Sequence, residues 1–89
     1  MYTEMNVKKR IDSVYKIFAL RLSLEEENSD VTWEGYEKYL ERLYVWFLGY
    51  GNEEIYNSIL GLKKSYKEIS LDTVKMIVFH IIHILEKGK

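Results

Sequence analysis

The chain has 89 residues, of which 47% are hydrophobic and 30% charged, with a formal net charge of −1 and no cysteine. This length is enough for one domain but leaves too little interior for a second, and the apolar fraction is too high for a disordered chain. The balanced charge gives no overall attraction to nucleic acid or to an acidic membrane, and the missing cysteine excludes disulfides within the chain. We therefore expect a single domain over residues 1–89.

The first predicted helix covers residues 4–24. Its apolar side chains recur at positions 7, 11, 14, 18 and 22, which is the spacing of one helical face. Thr3 precedes the helix as a candidate N-cap, and Glu4 stands in the first turn, where the helix dipole favours a carboxylate. The charged, turn-prone segment EEENSD (25–30) ends the helix.

The second predicted helix covers residues 33–48 and has the densest aromatic content of the chain. Asp30 or Thr32 caps its start, because either side chain can accept a hydrogen bond from the first turn. Gly49 and Gly51 follow it and supply the left-handed conformation that ends a helix.

The third predicted helix covers residues 53–66 and begins at Asn52, another N-cap residue. Gly61 lies inside this helix, where glycine costs about 1 kcal/mol relative to alanine. We expect a close approach of another backbone at Gly61, since such an approach would explain the missing side chain.

The fourth predicted helix covers residues 71–87, with Ser70 as N-cap and Ile69 with Val74 as a hydrophobic staple. It contains the apolar run MIVFHIIHIL (76–85), which is too short to span a membrane because a spanning helix needs about 20 apolar residues. Four helices with three short connections predict an all-α, up-and-down bundle.

A flank of the second helix is the first candidate site. Beyond the apolar stripe of that helix, the sequence places a set of side chains of the types that dominate protein interfaces. This set, called the α2 flank below, consists of Tyr39, Arg42, Trp46 and Tyr50. The flank is either a partner-binding surface or the outer part of a wide, well-buried central helix.

A mixed patch on the fourth helix is the second candidate. On a helical wheel the two histidines face away from the broad apolar arc, together with a methionine and a phenylalanine. This set, called the α4 patch, consists of Met76, Phe79, His80 and His83. Either the N-terminal segment with Tyr2 and Met5 or the 25–31 loop covers the patch, or the patch binds a partner or a second copy of the chain.

Enzymatic, metal and nucleic-acid functions find little support. No glycine-rich phosphate loop or catalytic motif is present, and two histidines three residues apart supply too few ligands for a zinc site. Two basic clusters, Lys8-Lys9-Arg10 and Lys63-Lys64 with Lys67, form no continuous basic stripe, and acidic runs oppose them. We expect no catalytic residue, no metal, no cofactor and no small-molecule substrate.

These observations predict a small helical protein-binding module. The favoured function is inhibition or neutralisation of a partner protein by steric occlusion, as small immunity proteins, antitoxins and phage inhibitors act; this is an analogy of size and class. The alternatives are an accessory or structural subunit, as a homodimer or within a larger assembly, and nucleic-acid binding. With no targeting segment and no cysteine, we expect the protein in the cytoplasm and not in a membrane.

Overall fold

The computed structural model describes residues 4–87, with side chains from residue 7 onward. It contains four helices, α1 (Glu4–Ser23), α2 (Trp33–Tyr50), α3 (Glu53–Lys64) and α4 (Leu71–Lys87). Residues 4–87 form no strand, and the predicted all-α class is confirmed. The predicted bounds differ only at C-terminal ends: α1 ends one residue before 24, α2 continues two residues beyond 48, and α3 ends two before 66. The predicted cap Thr3 lies outside the described residues.

Local side-chain chemistry fixes where the helices begin and end. Three of them begin at a side-chain oxygen that accepts a hydrogen bond from the backbone N–H three residues later: Thr32 from Gly35 at 3.0 Å, Asn52 from Ile55 at 3.1 Å, and Ser70 from Thr73 at 3.2 Å. At the end of α2, Gly51 has a φ of 87°, and its N–H donates to the Phe47 carbonyl at 3.2 Å. Thr32 rather than Asp30 is therefore the cap, and Gly51 rather than Gly49 is the left-handed residue.

Contacts between helices define the topology. Arg10, near the start of α1, lies over Trp46, near the end of α2, whereas Arg21 near the end of α1 lies over Trp33 at the start of α2. The same reversal occurs between α2 and α3, through the ring contacts Tyr44–Tyr56 and Trp33–Tyr66. Between α1 and α4 it is shown by the hydrogen bond from Arg21, near the end of α1, to the Ile69 carbonyl just before α4, and between α3 and α4 by Glu54, at the start of α3, beside His80 in the second half of α4. α1 packs against α4 and α2, and α3 against α2 and α4. The helices thus form an up-and-down four-helix bundle.

The core takes apolar side chains from all four helices. Its fully buried members are Val14, Ile17, Tyr36, Leu40, Phe47, Ile55, Ile59, Leu62, Val78 and Ile81. On α1 the expected stripe through positions 7, 11, 14, 18 and 22 is partly wrong, because Ile17 is buried and Leu22 is 42% exposed. α1 lies between α2 and α4, so its buried face is rotated toward Ile17 and away from Leu22.

The expectation of a close backbone approach at Gly61 is wrong. Gly61 is exposed on α3, and a Cβ built there would meet nothing within 4 Å. No packing constraint within the described residues therefore requires glycine at this position.

Arg21 is the charged residue that the bundle buries, with only 7% of its surface exposed. Its Nη1 donates to the Glu25 carboxylate at 2.6 Å, and its Nη2 donates to the Ile69 carbonyl at 3.2 Å. Beside it, the fully buried Tyr36 hydroxyl and the Arg21 Nε have no hydrogen-bond partner among the described residues. Arg21 therefore ties the end of α1 to the following loop and to the residue before the α4 cap.

Candidate functional site

Tyr39 of the α2 flank fastens α2 to α1. Its hydroxyl donates to the Ser13 carbonyl at 2.8 Å, and the Lys16 ammonium lies 5.3 Å from the centre of its ring. Burial raises the pKa of the Tyr39 phenol, against the opposing effects of the Ser13 hydrogen bond and the nearby Arg42 charge. The ring is half-buried, and one side of it remains accessible.

Trp46 and Tyr50 hold a cation from α1 between them. The Arg10 guanidinium carbon lies 4.5 Å from the Trp46 ring centre and 4.6 Å from that of Tyr50. The Nε and Nη1 atoms of Arg10 are buried without a hydrogen-bond partner among the described residues, so the ring faces are the favourable contacts that the structure shows for this guanidinium. In the sequence analysis Arg10 was recognised only as part of a charged run, so this role was missed. The available signal was the pair of aromatic residues one helical turn apart on α2.

An open groove of about 870 Å³ separates α1 from this part of α2. The groove, called the α1–α2 groove below, is lined by Lys9, Ser13, Lys38, Tyr39, Glu41, Arg42, Leu43, Val45 and Trp46. The structure therefore brings three of the four predicted flank residues together, while Tyr50 lies one turn beyond, beside Arg10. Arg42 is exposed, and Val45 is 61% exposed at the groove wall.

The α1–α2 groove carries positive charge on a protein whose overall charge is −1. Lys9, Lys38 and Arg42 are exposed cations around it. Glu41 is the one carboxylate among the described lining residues, and the Lys63 ammonium from α3 lies 3.4 Å from it. Cationic side chains beside two aromatic walls fit an acidic ligand that also makes apolar contacts.

The α4 patch lies open to solvent. Met76 is 72% exposed and Phe79 is 44% exposed, and both line a shallow groove with His80 and His83. The 25–31 loop therefore does not cover the methionine; Tyr2 and the Met5 side chain, the other expected cover, lie outside the described residues.

Aromatic contacts join the α4 patch to α1. The Phe79 ring packs edge-on against Tyr15, with ring centres 6.3 Å apart, and lies 6.5 Å from the ring of Phe18. Tyr15 is itself 47% exposed. Tyr15 is not part of the apolar stripe expected on α1, so its contribution to the exposed face was missed.

The two histidines point away from the core, as the helical wheel predicted. His80 Nε2 lies 2.8 Å from Glu54 Oε2 of α3, and both side chains are more than half exposed. Across residues 4–87, no three histidine, aspartate or glutamate side chains are grouped closely enough to hold a metal ion. Over the same residues, no helix has the length and apolarity needed to cross a membrane.

The eight predicted residues thus occupy two separate surfaces, one on the α2 side of α1 and one on its α4 side. Comparison of the chain with protein-family models, with curated proteins and with solved structures finds no match. The geometry and charge of these two surfaces therefore carry the functional proposal.

Proposed function

We propose that the protein is a non-enzymatic binding module that inhibits or neutralises a partner protein by occluding it. The contact surface is the α1–α2 groove, and the bound element is an acidic segment of the partner. One observation carries the proposal: exposed Arg42 and two lysines surround a wall formed by Tyr39 and Trp46. Tyrosine, tryptophan and arginine supply most of the energy of protein interfaces.

The groove is held in shape before a partner arrives. The Tyr39 hydroxyl is bound to the α1 backbone, and the Trp46 ring is stacked on Arg10. Ordering side chains on binding costs about 0.5–1.5 kcal/mol for each one that was free, so prearranged walls reduce that cost. A rigid helical surface of this kind acts by steric occlusion and needs no catalytic group.

A protein partner fits the groove better than a nucleic acid. The exposed apolar side chain of Val45 and the carboxylate of Glu41 stand among its cations. A nucleic-acid surface uses a longer basic stripe, because most of its contacts go to phosphates. The favoured ligand is therefore a segment with both acidic and apolar side chains.

The test is affinity capture from a lysate of the native host, followed by mass spectrometry, with Arg42→Glu as the test variant. Lys64→Glu makes the same charge change on the exposed end of α3 and is the matched control. We expect the bound protein to be retained by wild type and Lys64→Glu, and at least about tenfold less by Arg42→Glu, equivalent to about 1.4 kcal/mol.

Two results would contradict the proposal. If all three forms retain the same protein equally, the groove is not the contact surface. If an oligonucleotide binds at low salt with a steep salt dependence that Arg42→Glu abolishes, the groove serves a nucleic acid instead.

A second function is favoured by the α4 patch. Exposed Met76 and Phe79 beside Tyr15 fit the permanent interface of an accessory or structural subunit, because apolar surface of this kind is typical of lasting assemblies. Light scattering at micromolar concentration tests the subunit function, which a monomer would contradict, whereas the inhibitor function is tested by the capture experiment on the groove.

A further inference from the structure

The shallow groove at the α4 patch, called the α4 groove below, has side chains near its one end that are complementary to those near its other end. The lining residues are Asp72, Lys75, Met76, Phe79, His80 and His83. Reversing the sequence of α4 about a point between residues 77 and 78 exchanges position 72 with 83, position 75 with 80, and position 76 with 79. An acid is thus mirrored by a histidine, and a methionine by a phenylalanine.

We propose that this face binds a second copy of the chain, with α4 packed antiparallel on α4 of the copy. The two-fold axis passes between residues 77 and 78. In such an isologous interface each residue meets the mirror position of the other copy, and each pair occurs twice. The proposal rests on the subunit function proposed for the α4 patch and names its partner; it does not depend on the α1–α2 groove.

At the centre of this interface Met76 meets Phe79 of the second copy. A thioether beside the edge of an aromatic ring is a favourable contact, and both side chains are exposed in the single chain. Tyr15 and Leu22, seven residues apart on one side of α1, are 47% and 42% exposed and extend the apolar centre beyond α4.

Charge complementarity favours antiparallel over parallel packing of the two α4 helices. In that arrangement the Asp72 carboxylate faces a His83 ring nitrogen that can donate to it. Lys75 faces His80, whose Nε2 lies 2.8 Å from the Glu54 carboxylate of α3, so an acidic group is available to the ammonium. Parallel packing would instead place Asp72 against Asp72 and Lys75 against Lys75, which repel.

The size of the face suits a weak dimer. The 17 residues of α4 give a length of about 25 Å, and α1 beside it widens the face to about 20 Å, so its flat area is about 500 Å². This area is below the roughly 800 Å² that a standard interface takes from each partner and falls in the range of weak associations.

The first experiment measures the mass of the protein by sedimentation equilibrium from micromolar to millimolar concentration. We expect wild type to reach twice its 10.7 kDa chain mass. Met76→Glu should remain a monomer, because it buries a charge at the centre of the interface. Val45→Glu makes the same change at a similarly exposed position of α2 and should still form the dimer.

The second experiment tests the register by exchanging charges. Asp72→Lys removes the acceptor for His83, and His83→Glu opposes two carboxylates, so each variant alone should weaken the dimer. The combined variant restores an opposite-charge pair and should regain the wild-type dissociation constant. Circular dichroism of each variant checks that the helices are intact.

Three results would overturn the proposal. Wild type could remain a monomer at every concentration. Val45→Glu could dissociate the dimer while Met76→Glu leaves it intact, which would place the interface on α2. The combined variant could fail to recover the dimer, which would exclude the antiparallel register.

Discussion

The two sides of α1 make contact by different chemistry. Toward α2, cations of α1 lie over aromatic rings, in the pairs Arg10–Trp46, Arg10–Tyr50, Lys16–Tyr39 and Arg21–Trp33. Toward α4, rings lie against rings, in the pairs Tyr15–Phe79 and Phe18–Phe79. The first contact encloses its polar atoms, whereas the second leaves Phe79 and Met76 in solvent. The two contacts therefore border different surfaces: a groove with cations and aromatic walls beside α2, and an exposed methionine and phenylalanine beside α4.

The stability of each contact also depends on a different kind of interaction. The α1–α2 contact contains buried N–H and hydroxyl groups, so its stability depends on ring positions and on protonation. The α1–α4 contact depends on apolar area, which is insensitive to pH. The following substitutions separate these two dependences.

The largest effect is expected from Phe47→Ala compared with Phe79→Ala. Phe47 is fully buried and lies 5.6 Å from the Arg10 guanidinium, so its removal leaves a cavity and should lower the free energy of unfolding by about 3–5 kcal/mol. Phe79 is 44% exposed, and its removal should cost about 1–2 kcal/mol. Urea unfolding of the two variants measures both values; equal losses would show that the two contacts are equally enclosed.

The second-largest effect is a loss of folding stability at alkaline pH. It is caused by Tyr36, which lies at the α1–α2 contact. Burial raises the pKa of its phenol to about 12 from the ordinary 10.0, although the Arg21 charge acts in the opposite direction. Between pH 10 and 12 the unfolded chain loses this proton while the folded chain keeps it, so the folded state is destabilised by roughly 2–3 kcal/mol across that window.

Tyr36→Phe is the control for the alkaline effect. It should lack this part of the decline, and near neutral pH it should be as stable as wild type or more so, because it removes a buried hydroxyl without a hydrogen-bond partner among the described residues. Urea unfolding at intervals across the window measures both forms. A parallel decline of wild type and Tyr36→Phe would place the alkaline loss at other groups.

A smaller effect is expected from Trp46→Ala compared with Met76→Ala. Trp46 is half-buried and covers the Arg10 guanidinium, so its removal should cost about 1–2 kcal/mol through lost packing and lost cation–π attraction. Met76 is 72% exposed, and its removal should change stability by less than about 0.5 kcal/mol. Thermal unfolding monitored by circular dichroism compares the two, at low concentration where the chain is a monomer. A larger loss for Met76→Ala would reverse the comparison.

The smallest effect belongs to α3, away from both contacts of α1. Gly61→Ala should raise stability by about 0.5–1 kcal/mol, because alanine favours the helix and its Cβ meets nothing within 4 Å. The gain should add to the effect of Phe47→Ala in a double variant, since the two sites share no contact. A loss of stability, measured by urea unfolding, would show that glycine is needed at this position.

The bundle could be predicted from the sequence because local signals agree with one another. Thr32, Asn52 and Ser70 cap their helices through hydrogen bonds that span three residues, and Gly51 ends α2 through its own backbone. Such signals need no knowledge of the rest of the chain. The rotation of α1 was missed because it depends on the packing of α1 between two other helices, which the spacing of its own residues does not record.

The candidate surfaces were predicted in part. Residue type identified Trp46 and Tyr50 as unusual, and the wheel placed Met76 and Phe79 outside the core. The role of Arg10 was missed, because its two rings lie on another helix and their spacing of one turn does not say which cation lies between them. Contacts between two helices depend on the axial shift and rotation of one helix relative to the other, and both are set by the packing of the core.

Arg21 has a consequence for the order of folding. Its hydrogen bond to the Ile69 carbonyl joins residues 48 positions apart, and its guanidinium carbon lies 5.2 Å from the centre of the Trp33 ring. A contact over that separation bears a large loop-closure cost before it stabilises anything. We expect the pairing of the first and last helices to be the slow step and Arg21 to dock after it, so a φ value near zero is expected for Arg21→Met and a value near one would refute this order.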